Sequence, residues 1–152
     1  AWAQEAAMLV RDVMTPDVVT VSLDDTLESI RAIFLASRFH HLIVVEGGHV
    51  VGVISDRDLL KTISPFIGNP LMERSQDRNT LQRRAHQVMS RRPVVVHEDT
   101  DLSEAAATLL RERVSCLPVV DEEMQPRGIV TWRDLLQFST FGGGSGARPL
   151  AA

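Results

Sequence analysis

Gly52-Val53-Ile54-Ser55-Asp56-Arg57-Asp58-Leu59-Leu60 returns later in the chain as Gly128-Ile129-Val130-Thr131-Trp132-Arg133-Asp134-Leu135-Leu136. Working outward, Leu42-x-Val44-Val45 returns as Leu117-x-Val119-Val120, and Val13-Met14 returns as Val88-Met89. The spacing is 75 positions from Met14 to Met89 and 76 from Gly52 to Gly128. One extra residue in a turn, Glu46–Val51 against Asp121–Arg127, accounts for the difference. A unit this small does not stand alone, so the two copies are expected to share an interface, the natural place for a ligand.

Each copy reads helix, short strand, helix, strand, turn, strand, helix. In the first, Ala3–Val13 is a lead helix that Pro16 ends. Val18–Val21 is β-branched and short, a strand. Asp25 stands as helix cap with Glu28 three residues on, and Leu27, Ile30, Ile33 and Phe34 recur at helical spacing. Leu42–Val45 and Val50–Ile54 are strands joined by the Gly-rich turn Glu46-Gly47-Gly48-His49, and a helix runs from about Asp56 to Thr62. In the second copy Thr80–Val88 is the lead helix and Pro93–Val96 the strand. Leu102, Ala105, Ala106, Leu109 and Leu110 line the next helix, Leu117–Val120 and Gly128–Val130 are the paired strands, and Arg133–Phe138 closes the unit. Pro118 replaces Ile43 and lacks a ladder donor, which places it at a sheet edge or a bulge. The domain reading is residues 1–62, a connector at 63–79 broken by Pro65, Gly68 and Pro70, residues 80–139, and a flexible Gly-rich tail at 140–152.

The 152 residues suit one compact domain or two packed half-size ones, and a 44% hydrophobic content is ordinary for a globular chain. No apolar run approaches the ~20 residues of a membrane helix. The single cysteine, Cys116, points to a reducing cytoplasm. A net charge of −4 argues against general nucleic-acid binding. Arg74, Arg78, Arg83, Arg84, Arg91 and Arg92 cluster in the connector and the start of the second copy. They suit phosphate or carboxylate contact, or simply a solvated face partly neutralised by Glu73 and Asp77.

At Val13-Met14-Thr15-Pro16, Leu42-Ile43-Val44-Val45 and Gly52-Val53-Ile54-Ser55-x-x-Asp58 the chain resembles a CBS domain. Val88-Met89-Ser90, Leu117-Pro118-Val119-Val120 and Gly128-Ile129-Val130-Thr131-x-x-Asp134 repeat the likeness. The whole resembles the tandem pair known as a Bateman module, over roughly Val10 to Phe138. The resemblance implies an α/β (α+β) fold of two β-α-β-β-α units packed about a pseudo-twofold axis, often paired further into a homodimer. It implies a regulatory module, not an enzyme. Such a module binds an adenosine compound (AMP, ADP, ATP or S-adenosylmethionine) in one or both clefts between the units and signals to an effector protein.

The residues themselves suit that ligand. A helix starting directly after a strand offers free N–H groups and a positive dipole end to a phosphate. Ser55 and Thr131 add hydroxyls there, and Arg57 and Arg133 add charge. Asp58 and Asp134 would repel phosphate, so their partners are the ribose hydroxyls. Strand residues Thr20, Val21, His41 and Leu42 in the first copy, and Val95, Cys116 and Leu117 in the second, could sandwich a base and read its edge. Equally, Ser55-x-x-Asp58 and Thr131-x-x-Asp134 fit helix N-capping with no ligand at all. That second reading leaves a ligand-free scaffold for dimerisation and protein contact.

The copies differ. Asp56 in the first puts negative charge beside the phosphate position, whereas Trp132 in the second can stack on a base or cover the rim. Arg91 and Arg92 precede the second copy's first strand, and the second site is therefore the favoured one. His40 and His41 are adjacent and point to opposite sides, no zinc spacing appears, and no base marks Cys116 as a nucleophile. No cofactor or metal is required on this reading, and no phosphate loop, nucleophile elbow or His-Glu-x-x-His helix is present.

Overall fold

The computed structural model describes residues 8–141. The described residues divide into two compact units, one made of residues 19–93 and the other of residues 8–18 and 94–141. In chain order the elements are α1 (Val10–Val13), β1 (Thr15–Pro16), β2 (Thr20–Ser22), α2 (Leu27–Ala36), β3 (His41–Glu46), β4 (His49–Ser55), α3 (Asp56–Thr62), α4 (Ser75–Asn79), β5 (Ser90–Arg91), α5 (Leu102–Glu112), β6 (Cys116–Val120), β7 (Pro126–Thr131) and α6 (Trp132–Phe141).

In the unit of residues 19–93 a four-stranded sheet runs β2-β3-β4-β5, with β2 parallel to β3 and the other pairs antiparallel. The β3–β4 hairpin closes through Gly47 and Gly48 at φ of +57° and +83°. Positive φ at both central residues suits a two-residue hairpin turn, and glycine adopts it without a Cβ penalty. The core joins Val21, Leu27, Ile30, Leu42, Val44, Ile54, Leu59 and Ala85. In the other unit the sheet runs β1-β7-β6, and Val10, Val13, Val96, Leu102, Ala105, Leu109, Leu117, Val119 and Val130 form the core.

The lead segments are exchanged between the repeats. Residues 8–16 fold with the second repeat, and residues 80–91 with the first. The same three backbone hydrogen bonds hold each one. Val10 and Arg11 N–H donate to the carbonyls of Thr100 and Glu98, and Leu102 N–H to that of Met8. In the other unit Ala85 and His86 donate to Asp25 and Leu23, and Leu27 to Arg83. This docking explains why Thr80–Val88 is not the continuous helix that its composition suggests. It forms two 3-10 turns, Thr80–Gln82 and Ala85–Gln87, separated by extended Arg83 and Arg84, because its backbone groups bond to residues 23–27. In the first repeat the helical part of Ala3–Val13 is Val10–Val13; residues 3–7 and the tail from residue 142 lie outside the described residues.

Three other expectations are corrected. Thr26, not Asp25, caps α2: its Oγ1 accepts from Ser29 N–H at 3.3 Å, while Asp25 Oδ2 accepts from Ser22 N–H at 2.8 Å and closes the preceding turn. The connector is not wholly irregular, since α4 forms in it. Pro93–Val96 is not a strand; it makes a single parallel bridge, Val96 to Val119. Pro118 supplies the reason. At the matching place in the first repeat, Ile43 N–H donates to Val19 carbonyl at 3.4 Å, and β2 pairs with β3 over three residues. Proline has no N–H to give to Val94 in the same way, so pairing begins only with Val96 N–H to Pro118 carbonyl. As expected for such a residue, Pro118 sits on the outer strand of its sheet, β6.

Candidate functional site

Both Gly-x-x-Ser/Thr-x-x-Asp patterns end a strand and start a helix, and both form reciprocal caps. At α3, Ser55 Oγ accepts from Asp58 N–H at 3.1 Å and Asp58 Oδ2 accepts from Ser55 N–H at 3.0 Å. At α6, Thr131 Oγ1 accepts from Asp134 N–H at 3.4 Å, and Asp134 Oδ2 accepts from Thr131 N–H at 2.8 Å and from its hydroxyl at 3.2 Å. The capping reading is therefore met in both places. It does not account for all of Asp134, which is 2% exposed and whose second oxygen, Oδ1, is buried with no donor. Burial pushes this carboxyl above the usual aspartate range, against the pull of the Thr131 backbone and hydroxyl donors and of Arg133.

The glycines of the two patterns have a common cause. A Cβ on Gly128 would lie 2.8 Å from Met14 Sδ and 2.8 Å from Thr15 carbonyl oxygen. One on Gly52 would lie 2.5 Å from Met89 Sδ and 2.9 Å from Ser90 carbonyl oxygen. The repeated Met14 and Met89 thus cover the repeated glycines, each in the other repeat's unit.

The structure brings some of the expected site residues together and separates others. Thr20, Val21, His41, Leu42, Ser55, Arg57 and Asp58 share the unit of residues 19–93; Val95, Cys116, Leu117, Thr131, Trp132, Arg133 and Asp134 share the other. His41 pairs with Ser55 across β3 and β4, and Cys116 with Thr131 across β6 and β7. Val21, Leu42 and Leu117 are core residues, so their side chains fill their own units. Arg57 and Arg133 are exposed. Arg91 lies on β5 opposite Gly52, with its Nη2 donating to His86 carbonyl at 3.0 Å, and Arg92 follows at φ +50°. Both arginines therefore fold into the unit of Asp58, not that of Asp134. Trp132 is half-buried and lines an open hollow of about 360 Å³ with Leu109, Leu110, Arg113, Val114 and Ser115. Two positions before Asp134 on a helix, it faces a different way.

Asp56 is not the bare charge that the sequence suggests. His40 Nδ1 lies 2.8 Å from Asp56 Oδ2, and Asp56 N–H donates to His40 carbonyl at 3.0 Å. His41, half-buried beside this pair, has its pKa lowered, first by burial and also by His40, with Asp56 and Asp58 acting the other way. A histidine held neutral in the fold contributes stability above its unfolded pKa of about 6.5 and loses it as pH falls. Between about pH 7 and 5.5 the urea midpoint should therefore drop further for the parent chain than for His41→Gln; parallel curves would remove His41 as the cause.

Sequence reasoning missed Gln137, whose Oε1 is also buried with no donor, one helical turn after Asp134. The only sequence signal was asymmetry: the matching residue in the first repeat is Lys61, the chain's single lysine. Among the described residues no group of three or more His, Cys, Asp or Glu side chains gathers to hold a metal, and no helix is long and apolar enough to cross a membrane.

Comparison with known proteins agrees with this architecture. The CBS-domain sequence profile matches residues 10–65 and again 85–140, and the chain belongs to the CBS-domain family as a tandem pair. It is 35% identical over 133 residues to a CBS domain-containing protein of Dictyostelium discoideum, covering 85% of this chain and 89% of that one. The crystal structure of CBSX2 in complex with AMP superposes at a TM-score of 0.72, with 27% identity over 90% of this chain and 98% of that one. The CBS domain pair of protein MJ0100, solved with 5′-methylthioadenosine and S-adenosyl-L-methionine, shares the fold at a TM-score of 0.71 and 24% identity, covering 91% of this chain and 98% of that one.

Proposed function

We propose that this chain is a regulatory, non-catalytic module. It binds an adenosine compound (AMP, ADP, ATP or S-adenosylmethionine) and passes the binding event to an effector protein. The observation that carries the reading is Asp134 Oδ1: a buried carboxylate oxygen at a helix start, kept without a donor although its twin accepts two. A ribose hydroxyl is the neutral donor that such an oxygen lacks. Each unit carries its own hydroxyl and cationic groups for a nucleotide: Thr131 and Arg133 in this one, and Ser55, Arg57, Arg91 and Arg92 with Asp58 in the other. The solved AMP complex of CBSX2 supports the ligand class. The single cysteine fits a cytoplasmic location.

The helix surfaces support pairing of two chains. Leu35 and Leu60 on α2 and α3, and Leu110 and Leu136 on α5 and α6, are between 62% and 71% exposed and occupy matching repeat positions. An apolar pair repeated on each unit suits a self-complementary homodimer interface.

The test is thermal melting of the chain with AMP, ADP, ATP and S-adenosylmethionine. A ligand held at a hundred times its Kd stabilises by about 2.7 kcal/mol and should raise the melting temperature by roughly 5–10 °C. No shift with any of the four would leave both Asp residues as caps and favour a ligand-free scaffold.

A further inference from the structure

Asp134 Oδ1 and Gln137 Oε1 lie one turn apart on α6, both buried and both without a donor. Residues three apart on a helix project over the same face, with Cβ atoms about 5–6 Å apart. A carboxylate and an amide oxygen cannot satisfy one another, since both only accept. A single proton resolves the conflict, because a carboxyl O–H can donate to the amide oxygen. The surroundings favour that form. Asp134 is 2% exposed, and no lysine or arginine is buried among the described residues to pair with it. Arg133, next in sequence, is exposed, as are the charged residues on the elements packed against α6: Arg11 and Asp12 on α1, Glu104, Arg111 and Glu112 on α5, and Arg127 on β7. Burial moves the titration of Asp134 in the same direction.

We infer that Gln137 is a positioning residue that holds Asp134 as the neutral acid, through a hydrogen bond from Oδ1–H to the Gln137 amide oxygen, while Oδ2 keeps its bonds from Thr131. On the reading that Asp134 receives the ribose, which this second step rests on, nucleoside binding is coupled to proton release. The two ribose hydroxyls bring two donors to the ionised carboxylate, and the carboxyl proton leaves to solvent. Affinity then falls as pH falls through the Asp134 titration. The first repeat carries exposed Lys61 at the matching position, so the coupling belongs to the Asp134 unit alone.

The decisive measurement is a carbon-13 NMR titration of the Asp134 carboxyl in the full, ligand-free chain, for the parent, Gln137→Met and Gln137→Glu. Melting curves verify that each variant is folded. The parent carboxyl is expected to titrate above the ordinary aspartate value of about 3.9. Gln137→Met, which removes the acceptor, should lower it by about one pH unit. Gln137→Glu should raise it, because two neighbouring carboxyls then share one proton. One unchanged midpoint across all three folded proteins overturns the inference and leaves Gln137 a packing residue. An ordinary midpoint in the parent also overturns it, in favour of a bridging water or an amide turned to donate through its N–H2. The coupling is read by calorimetry with adenosine, which has no group of its own titrating near neutrality, in two buffers of different ionisation enthalpy just below the Asp134 midpoint. Proton release in the parent that shrinks in Gln137→Met supports it, and binding without proton release overturns it. Adenosine that fails to bind overturns the coupling together with the nucleotide reading, while the carboxyl titration still decides the role of Gln137.

Discussion

Gly128→Ala is expected to destabilise the chain by about 2 kcal/mol, and Gly128→Val by more. On backbone entropy alone the alanine change should help, since glycine in a strand costs roughly 0.5–1 kcal/mol relative to alanine. The opposite sign is expected because the new Cβ would meet Met14 Sδ and Thr15 carbonyl oxygen, both at 2.8 Å. Met14 can swing aside, but Thr15 belongs to β1, which is fixed on β7 by the pairs Thr15–Ile129 and Pro16–Gly128. Relief requires β1 to lift from the sheet, loosening the exchanged lead segment that delivers Val10 and Val13 to the core. Gly52→Ala should behave alike through Met89 and Ser90. Urea unfolding measures the loss. The double variant Met14→Ala/Gly128→Ala should show coupling by recovering part of it, because only the sulfur half of the clash is removed. A neutral or stabilising Gly128→Ala would mean that nothing crosses β7 at this point.

The same glycines mark the limit of what the sequence discloses. Their repetition was plain, but what sits on them was not, because a repeat records similarity between segments and not which segment packs on which. Val13-Met14 and Val88-Met89 were legible as partners in the pattern. That each docks on the other repeat depends on backbone bonds such as Val10 N–H to Thr100 carbonyl, which have no side-chain signature. Local chemistry was read well where a residue type had one strong conformational consequence. Gly47-Gly48 made the expected hairpin, Pro118 lay on the outer strand, and the Ser55 and Thr131 caps formed at the expected helix starts. It was read less well where two residues competed for one role, as when Thr26 took the cap of α2 and Asp25 the turn before it. At the candidate site, charge could be counted but not placed: Asp56 acquired His40 as a partner, and Arg91 and Arg92 joined the unit of Asp58. The orphan oxygen of Gln137 left no trace in composition or spacing, because glutamine at that position of an amphipathic helix looks like any polar surface residue.

Asp134→Ala is expected to weaken adenosine-compound binding at its unit by at least about 100-fold while changing the ligand-free stability by no more than about 1 kcal/mol. The binding loss follows from two hydroxyl-to-carboxylate hydrogen bonds. Each is worth roughly 1.5–3 kcal/mol when charged, and about 2.7 kcal/mol already corresponds to 100-fold. The small stability change follows from two opposed effects at one side chain. Removing the carboxyl takes away the acceptor for Thr131 N–H and hydroxyl, a cap worth about 1 kcal/mol. It also removes a carboxyl that is 2% exposed and whose ionisation burial opposes, a cost to folding. The raised pKa fixes the sign with pH: ionisation of Asp134 is less favourable in the fold than in the unfolded chain, so its cost is present near neutrality and fades as pH falls through the raised value. Asp134→Asn keeps the shape and one acceptor for Thr131 without the charge, and should lose binding with a still smaller effect on folding. Melting with and without ligand separates the two roles. A variant that is 2 kcal/mol less stable but keeps its full ligand response would make Asp134 a cap and nothing more, and would move the binding question to Asp58, which caps α3 in the same way and is less buried.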